Sequence, residues 1–394
     1  MASSPDPATD HPAAGSPSRR RGRRAAPPDL AERDVVVVGA GQAGLSAAYY
    51  LERRGLDFEV LDANEGPGGA WRHRPDSLSF GGAHGLHDLP GTPFGTPDPT
   101  EPASAVVERY HGAYEREHAL PVRRPVRVLE VRSDDASRGS RGHGLPVDDV
   151  VLPPLLVRTD AGTWRSRLLI NATGTWDRPY WPHYPGRESF GGRQVHTRDL
   201  RDESALAGKR VVVVGAGTSA VQLLLRLAGL AASTTWVTRR PPQWAEPDFD
   251  AEWGRAVEQS VTERTSEGRV PLSVVAATGL PLTREYRAGI EAGVLVSAGP
   301  LERVEPDGIV LASGERVPAD VIVWATGYRA SLTHLAPLRL REPGGGIRTD
   351  DVHVARDPRI LLVGYGASAS TIGATRAGRR AALAAARLLA PAAT

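Results

Sequence analysis

An α/β architecture of two Rossmann-like dinucleotide-binding domains, one inserted into the other, is predicted by three observations. The valine run Val35–Val38 leads into Gly39, Gly41 and Gly44, in the spacing G-x-G-x-x-G. A second valine run, Val211–Val214, leads into Gly215, Gly217 and Ala220, the variant with alanine at the third position. Two more apolar segments each end in Ala-Thr-Gly, at Ala172–Gly174 and Ala325–Gly327. An apolar run with no period, followed at once by glycine, marks a strand buried on both faces of a parallel sheet.

In the first unit, Gly39 permits a tight turn and Gly41 leaves room for a pyrophosphate at the backbone. Gly44 lets the following helix, expected over Leu45 to Arg54, pack close to its strand. Gln42 and Ala43 complete the turn, and the helix N-terminus adds a positive dipole. A second strand, Phe58–Leu61, ends at Asp62, the expected distance of about 20 residues away, where an acid binds ribose hydroxyls. Next, Gly68, Gly69 and Trp71 belong to a glycine loop that regular structure cannot use. In a cofactor protein it is expected against the ribityl chain or ring of a flavin. Residues Arg72 to Pro97 read as irregular, with His73, His84 and His87 in a spacing that suits no metal motif.

A helix is expected over Pro102 to His118, with Ala103, Val106, Tyr110 and Tyr114 on one face. Strand-like pieces follow at Val122–Val131, Val150–Thr159 and Leu168–Ile170, and the polar insertion Ser133–Val147 reads as a loop. Thr173 and Gly174 then bring the chain close to a cofactor. In the second unit a Leu-rich helix is expected from the turn, with Thr218 and Ser219, to about Leu227. The second strand, Thr234–Thr238, ends in Arg239 and Arg240. An acid there would bind the 2′-hydroxyl of NAD, whereas arginine accommodates the 2′-phosphate of NADP. Two sites of different character are economically read as FAD at the first and NADPH at the second, with hydride passing between them.

The remaining chain reads as a polar helical stretch, Asp250–Glu267, and a strand pair at Leu301–Val304 and Gly308–Leu311. The second Ala-Thr-Gly follows, with Thr326 and Gly327 near a cofactor. A strand, Ile360–Val363, then leads into the turn Gly364–Gly373, with Ser370 and Thr371. The last helix, from about Ala374 to Leu389, can offer its N-terminus to the flavin pyrimidine oxygens. The expected layout is a disordered tail over 1–33 and an FAD-binding domain over 34–200 and 331–394. An NADPH-binding domain covers 201–330.

Composition sets the outer limits. Basic and acidic residues nearly balance, 48 against 46, so no dedicated nucleic-acid binder is indicated. Lys209 is the only lysine, which lowers the information in any single arginine. The absence of cysteine excludes disulfides, thiolate metal sites and Cys-x-x-Cys redox chemistry. No apolar run approaches the roughly 20 residues of a membrane span, and a cytoplasmic setting is expected. The basic cluster Arg19–Arg24 lacks the apolar stretch that a twin-arginine signal needs.

Four motifs make the chain resemble the two-dinucleotide flavoproteins, and among them the flavin-containing monooxygenase family. Gly68-Gly69-Ala70-Trp71 resembles that family's flavin loop. Phe190-Gly191-Gly192-Arg193-Gln194-Val195-His196 matches its fingerprint F-x-G-x-x-x-H, and Ala325–Tyr328 matches its Ala-Thr-Gly-Tyr segment. Gly364–Gly373 is similar to its C-terminal flavin-contacting turn. The likeness covers about residues 34 to 394. It departs at Leu200, where the family carries an aromatic residue, and at Gly81, where many members place an asparagine beside the flavin.

The resemblance implies that NADPH reduces FAD and that a peroxyflavin passes oxygen to a small substrate. The outcome is N- or S-oxygenation, or attack on a ketone of Baeyer–Villiger type. The partners are then a small molecule and dioxygen. Alternatives are an NADPH-dependent flavoprotein reductase serving another acceptor, or a cofactor-binding regulator without turnover. His196 is either a packing residue or an NADP contact, and no general acid or base is expected.

Overall fold

The computed structural model describes residues 30–83, 86–137, 144–147, 150–246, 259, 261–271, 279–369 and 371–390. The first valine run lies in β1 (Ala31–Val38), and Val35, Val36 and Val37 are fully buried. Each such burial contributes about 1.5 kcal/mol or more. The strand begins at Ala31, before the expected end of the tail, because its polar residues find partners. Arg33 faces Asp57 and Glu59, and Glu32 pairs with Arg165.

Helix α1 (Gln42–Glu52) and strand β2 (Phe58–Leu61) follow, then α2 (Ala103–Glu117) and β3 (Val122–Arg123). The α2 face is buried as expected at Ala103, Val106 and Tyr114. Strands β4 (Val128–Ser133), β5 (Leu155–Thr159) and β6 (Gly162–Asn171) complete the segment. The expected loop Ser133–Val147 ends in a short strand, Leu145–Val147, that pairs antiparallel with Val150–Leu152.

In the first sheet β1 lies between β2 and β6, parallel to both, with Val38 opposite Leu61 on one side and Asn171 on the other. The sheet extends through β3 beyond β2 and through β11 (Ile360–Leu362) beyond β6, again parallel. The C-terminal strand thereby joins the N-terminal sheet. Helix α4 (Thr371–Leu389) begins before the expected Ala374 and packs on α1. The contact is so close that a Cβ on Gly378 would stand 2.6 Å from the Ala43 carbonyl oxygen.

The second sheet has the order β9-β8-β10-β7, all parallel. Its members are β7 (Arg193–His196), β8 (Arg210–Val214), β9 (Ser233–Val237) and β10 (Val321–Trp324). Helix α3 (Thr218–Leu227) packs Ala220, Leu223, Leu224 and Leu227 into the core beside this sheet. Strand β7 is new relative to the sequence reading. The fingerprint segment is thus an edge strand rather than a plain linker. A three-stranded antiparallel sheet, Leu301–Glu305, Gly308–Leu311 and Arg316–Pro318, adds one strand to the expected pair. Of the polar stretch Asp250–Glu267, 250–258 and 260 lie outside the described residues, as do the cluster Arg19–Arg24 and His84. No helix among the described residues is long and apolar enough to cross a membrane.

Candidate functional site

The two glycine turns share one local construction. At the first, the Gly39 amide donates to the Leu61 carbonyl (2.8 Å) and the Ala172 amide to the Val38 carbonyl (2.8 Å). At the second, the Gly215 amide donates to Val237 (2.9 Å) and the Ala325 amide to Val214 (2.8 Å). Each turn is therefore clamped between its own second strand and its own Ala-Thr-Gly segment. The glycines are required by space. A Cβ on Gly39 (φ +99°) would stand 2.6 Å from the Ala172 oxygen, and one on Gly215 (φ +142°) 2.2 Å from the Ala325 oxygen.

Gly41 and Gly217 cap α1 and α3 in extended conformations, and neither helix has a side-chain cap. Their first amides are left for an incoming anion. A Cβ on Gly217 would meet nothing within 4 Å, and one on Gly41 nothing closer than 3.9 Å. Gly44 differs: its Cβ would fall 1.8 Å from the Gly39 oxygen, so it serves helix packing and not a ligand.

A cavity of about 560 Å³ opens at the first turn. Gly39, Gly41, Gln42, Ala43, Asp62, Gly68, Gly69, Trp71, Thr173 and Gly174 all line it. Gly364, Ser368, Ala369 and Ala374 close it from the C-terminal side. Ser370 lies outside the described residues, and for Thr371 only the backbone, as the first residue of α4, is described. Gly69 (φ +55°) approaches so closely that its Cβ would stand 2.8 Å from the Gly41 Cα. A channel floor of bare backbone results, which fits a long flat cofactor with a pyrophosphate.

Asp62, buried at the end of β2, accepts from Arg124 Nε (2.6 Å) and Asn64 Nδ2 (3.1 Å). Glu115 grips the other side of Arg124 with two bonds of 2.6 Å. The carboxylate is thus fixed by one partner on each oxygen, with lone pairs remaining for a ribose.

The second turn does not line this cavity. Thr218 and Ser219 open α3, Ala220 is fully buried beneath them, and Trp236 donates to the Gly215 carbonyl (2.6 Å). Arg239 and Arg240 are exposed just beyond β9, and among the described residues neither forms an ion pair.

The Ala-Thr-Gly segments meet where chain runs between the sheets. Thr173 Oγ1 donates to the Ser331 carbonyl (2.7 Å), and the Ser331 amide to Gly174 (2.9 Å). The Tyr180 amide donates to the Gly327 carbonyl (2.9 Å), and the Thr326 hydroxyl to Tyr180. His196 is fully buried beside this crossing. Its Nδ1 accepts from the Arg198 amide (3.0 Å), so Nε2 carries the proton and donates to Gly327 (3.1 Å). Burial is the main cause of its lowered pKa.

Several cavity residues carry little or no sequence signal. Trp176 stacks with Tyr328, centroids 5.3 Å apart. Tyr328 was already marked by its Ala-Thr-Gly-Tyr segment, whereas Trp176, two residues past Gly174, was not. His73 stacks on Trp176 and bonds Asn64 (2.7 Å). Burial is the main cause of its lowered pKa, with Arg72 next. Arg74 lies over both Trp176 and Trp71, and in a chain so rich in arginine nothing marked it. His334 donates to Asn171 (2.7 Å) and also lines the cavity. Of the family departures, Gly81 packs on Pro99, where a Cβ would be 3.0 Å from the Pro99 Cβ, and it does not line the cavity. Leu200 fills the core of the second sheet.

Comparison with known proteins places these features in context. The model of the pyridine nucleotide-disulphide oxidoreductase family matches residues 33–387. A solved flavin-containing monooxygenase from Stenotrophomonas maltophilia is 34% identical, with a TM-score of 0.73 over 91% of this chain and 100% of that one. An indole-3-pyruvate monooxygenase, YUCCA1 of Oryza sativa subsp. japonica, is 32% identical over 52% of this chain and 47% of its own length. A Baeyer-Villiger monooxygenase from Streptomyces coelicolor is 26% identical over 75% of this chain and 64% of its own. The chain spans about half the length of the first curated relatives it matches.

Proposed function

The chain belongs to the pyridine nucleotide-disulphide oxidoreductase family, and from that premise we propose an NADPH-dependent FAD monooxygenase acting on a small organic substrate. The observation that carries this reading is the cavity itself. It gathers the glycine turn, Asp62, the tryptophan loop, the first Ala-Thr-Gly and the C-terminal turn around one space. The similarity to the Stenotrophomonas flavin-containing monooxygenase over that whole chain supports the oxygenase outcome. The absence of cysteine removes the route of a reductase that works through its own cysteine pair. A cytoplasmic setting fits the reading.

In this proposal the α1 N-terminus holds the FAD pyrophosphate and Asp62 its ribose. The bare backbone at Gly41 and Gly69 admits the cofactor, and the α4 N-terminus faces its ring end. Gly217 and the α3 N-terminus take the NADPH pyrophosphate, while Arg239 and Arg240 take the 2′-phosphate. Bound FAD supplies acceptance of hydride and activation of dioxygen. The protein contributes positioning and water exclusion through the aromatic wall of Trp71, Trp176 and Tyr328. Burial lowers the pKa of His73 and of His196, and each ring is hydrogen-bonded within the protein, to Asn64 and Gly327 respectively.

Anaerobic titration tests the cofactor half of the proposal. The purified protein is expected to carry FAD whose yellow absorbance bleaches with NADPH. A flavin-free protein, or a flavin that NADPH leaves oxidised, contradicts it.

A further inference from the structure

Arg74 follows the Gly69–His73 turn and lines the cavity. Its guanidinium carbon lies 4.7 Å from the Trp176 ring centre and 5.5 Å from that of Trp71. Its Nε is buried with no hydrogen-bond partner among the described residues. The neighbouring cations are better served. Arg72 bonds the Pro67 carbonyl and faces Glu108, Arg178 bonds Thr333, and Arg127 and Arg198 share Asp177. The Arg198 Nε is also buried without a hydrogen-bond partner among the described residues, but its Nη2 has a carboxylate and Arg74 has none.

A guanidinium stays charged in proteins, and Arg74 is half-buried with no carboxylate partner among the described residues, so its charge is only partly solvated. Cation–π contact returns only about 0.5–2 kcal/mol. The site is therefore set up for an anion that arrives from outside. The dinucleotide phosphates have partners of their own at the N-termini of α1 and α3 and at Arg239 and Arg240. Arg74 instead sits at the tryptophan-loop end, against flat aromatic surface. We infer that Arg74 is a specificity-determining residue that pairs with the carboxylate of an aromatic substrate whose ring lies along Trp176 and Tyr328. The inference rests on the FAD/NADPH reading, which gives the phosphates their other partners.

A matched pair of sulfides tests it: para-(methylsulfanyl)benzoate and para-(methylsulfanyl)benzamide, alike in shape and different in charge. Binding is measured by calorimetry on the flavin-loaded protein without NADPH, so turnover is not needed. A charge-assisted pair at this half-buried position predicts a preference of about tenfold or more for the benzoate. Arg74→Gln should remove the preference and leave benzamide affinity unchanged, and Arg74→Lys should restore part of it.

Equal affinities in the wild type overturn the inference, as does a preference that survives in Arg74→Gln. So does a variant that keeps the preference but loses FAD or raises the KM for NADPH, since the cation would then serve a dinucleotide. If Arg74→Gln fails to fold, the wild-type preference and its change in Arg74→Lys decide. Selective binding without any oxygenated product leaves Arg74 in this role and removes the monooxygenase reading instead.

Discussion

The glycines of the first turn carry separate tasks that single substitutions can part. Gly41→Ala adds a methyl with nothing nearer than 3.9 Å. Its expected effect on stability is within about 0.5 kcal/mol, while the FAD content of the purified protein falls. Gly44→Ala drives a methyl into the Gly39 carbonyl and should destabilise the fold by about 1–3 kcal/mol. Thermal melts and the ratio of flavin to protein absorbance check both. At the second turn, Arg239→Ala and Arg240→Ala should each cost about tenfold or more in kcat/KM for NADPH and leave NADH unchanged. An unaltered coenzyme preference removes the 2′-phosphate assignment.

The buried histidines add a pH dependence. Burial holds His111 at about 3 and His334 at about 4, against an ordinary value of 6.5. Between pH 6.5 and 4 the unfolded chain takes up these protons and the folded chain does not. Stability is therefore full above about 6.5 and falls as the pH drops, by on the order of 1 kcal/mol per pH unit for each group. Both ring nitrogens of His111 lack hydrogen-bond partners among the described residues, so His111→Leu loses no bond there and should flatten the slope in denaturant titrations at neutral and acid pH.

Among the elements, the seam between α1 and α4 carries the cavity. Gly378 has its nearest neighbours in the α1 backbone at Ala43 and Ala47. On an exposed helix, Gly→Ala gains up to about 1 kcal/mol. Here Gly378→Ala should instead cost about 1–3 kcal/mol and loosen flavin binding, because the two helices must part. A stabilised variant with full flavin content contradicts that packing account.

This seam was only half legible in sequence. Valine runs, glycine spacings and the strand Phe58–Leu61 announce themselves, because local pattern and burial agree there. The return of the C-terminal strand to β6 and the edge strand Arg193–His196 depend on partners far along the chain. The same holds within the site. The cavity glycines, Asp62 and Trp71 carried motif signals, whereas Arg74 and His334 are defined by what surrounds them.

At the scale of the whole molecule, the two Ala-Thr-Gly segments join one nucleotide turn to the other. The bonds among Thr173, Ser331, Tyr180 and Gly327 lock the chain where it runs between the sheets. That arrangement brings the proposed FAD cavity and the proposed NADPH turn into one molecule, as electron delivery would require. Whether the electrons end in a substrate is decided by supplying NADPH and isotopically labelled dioxygen with an amine, a sulfide and a ketone. The account predicts a product carrying one labelled oxygen atom for each NADPH productively consumed. Recovery of all the NADPH electrons as hydrogen peroxide with every substrate would contradict it.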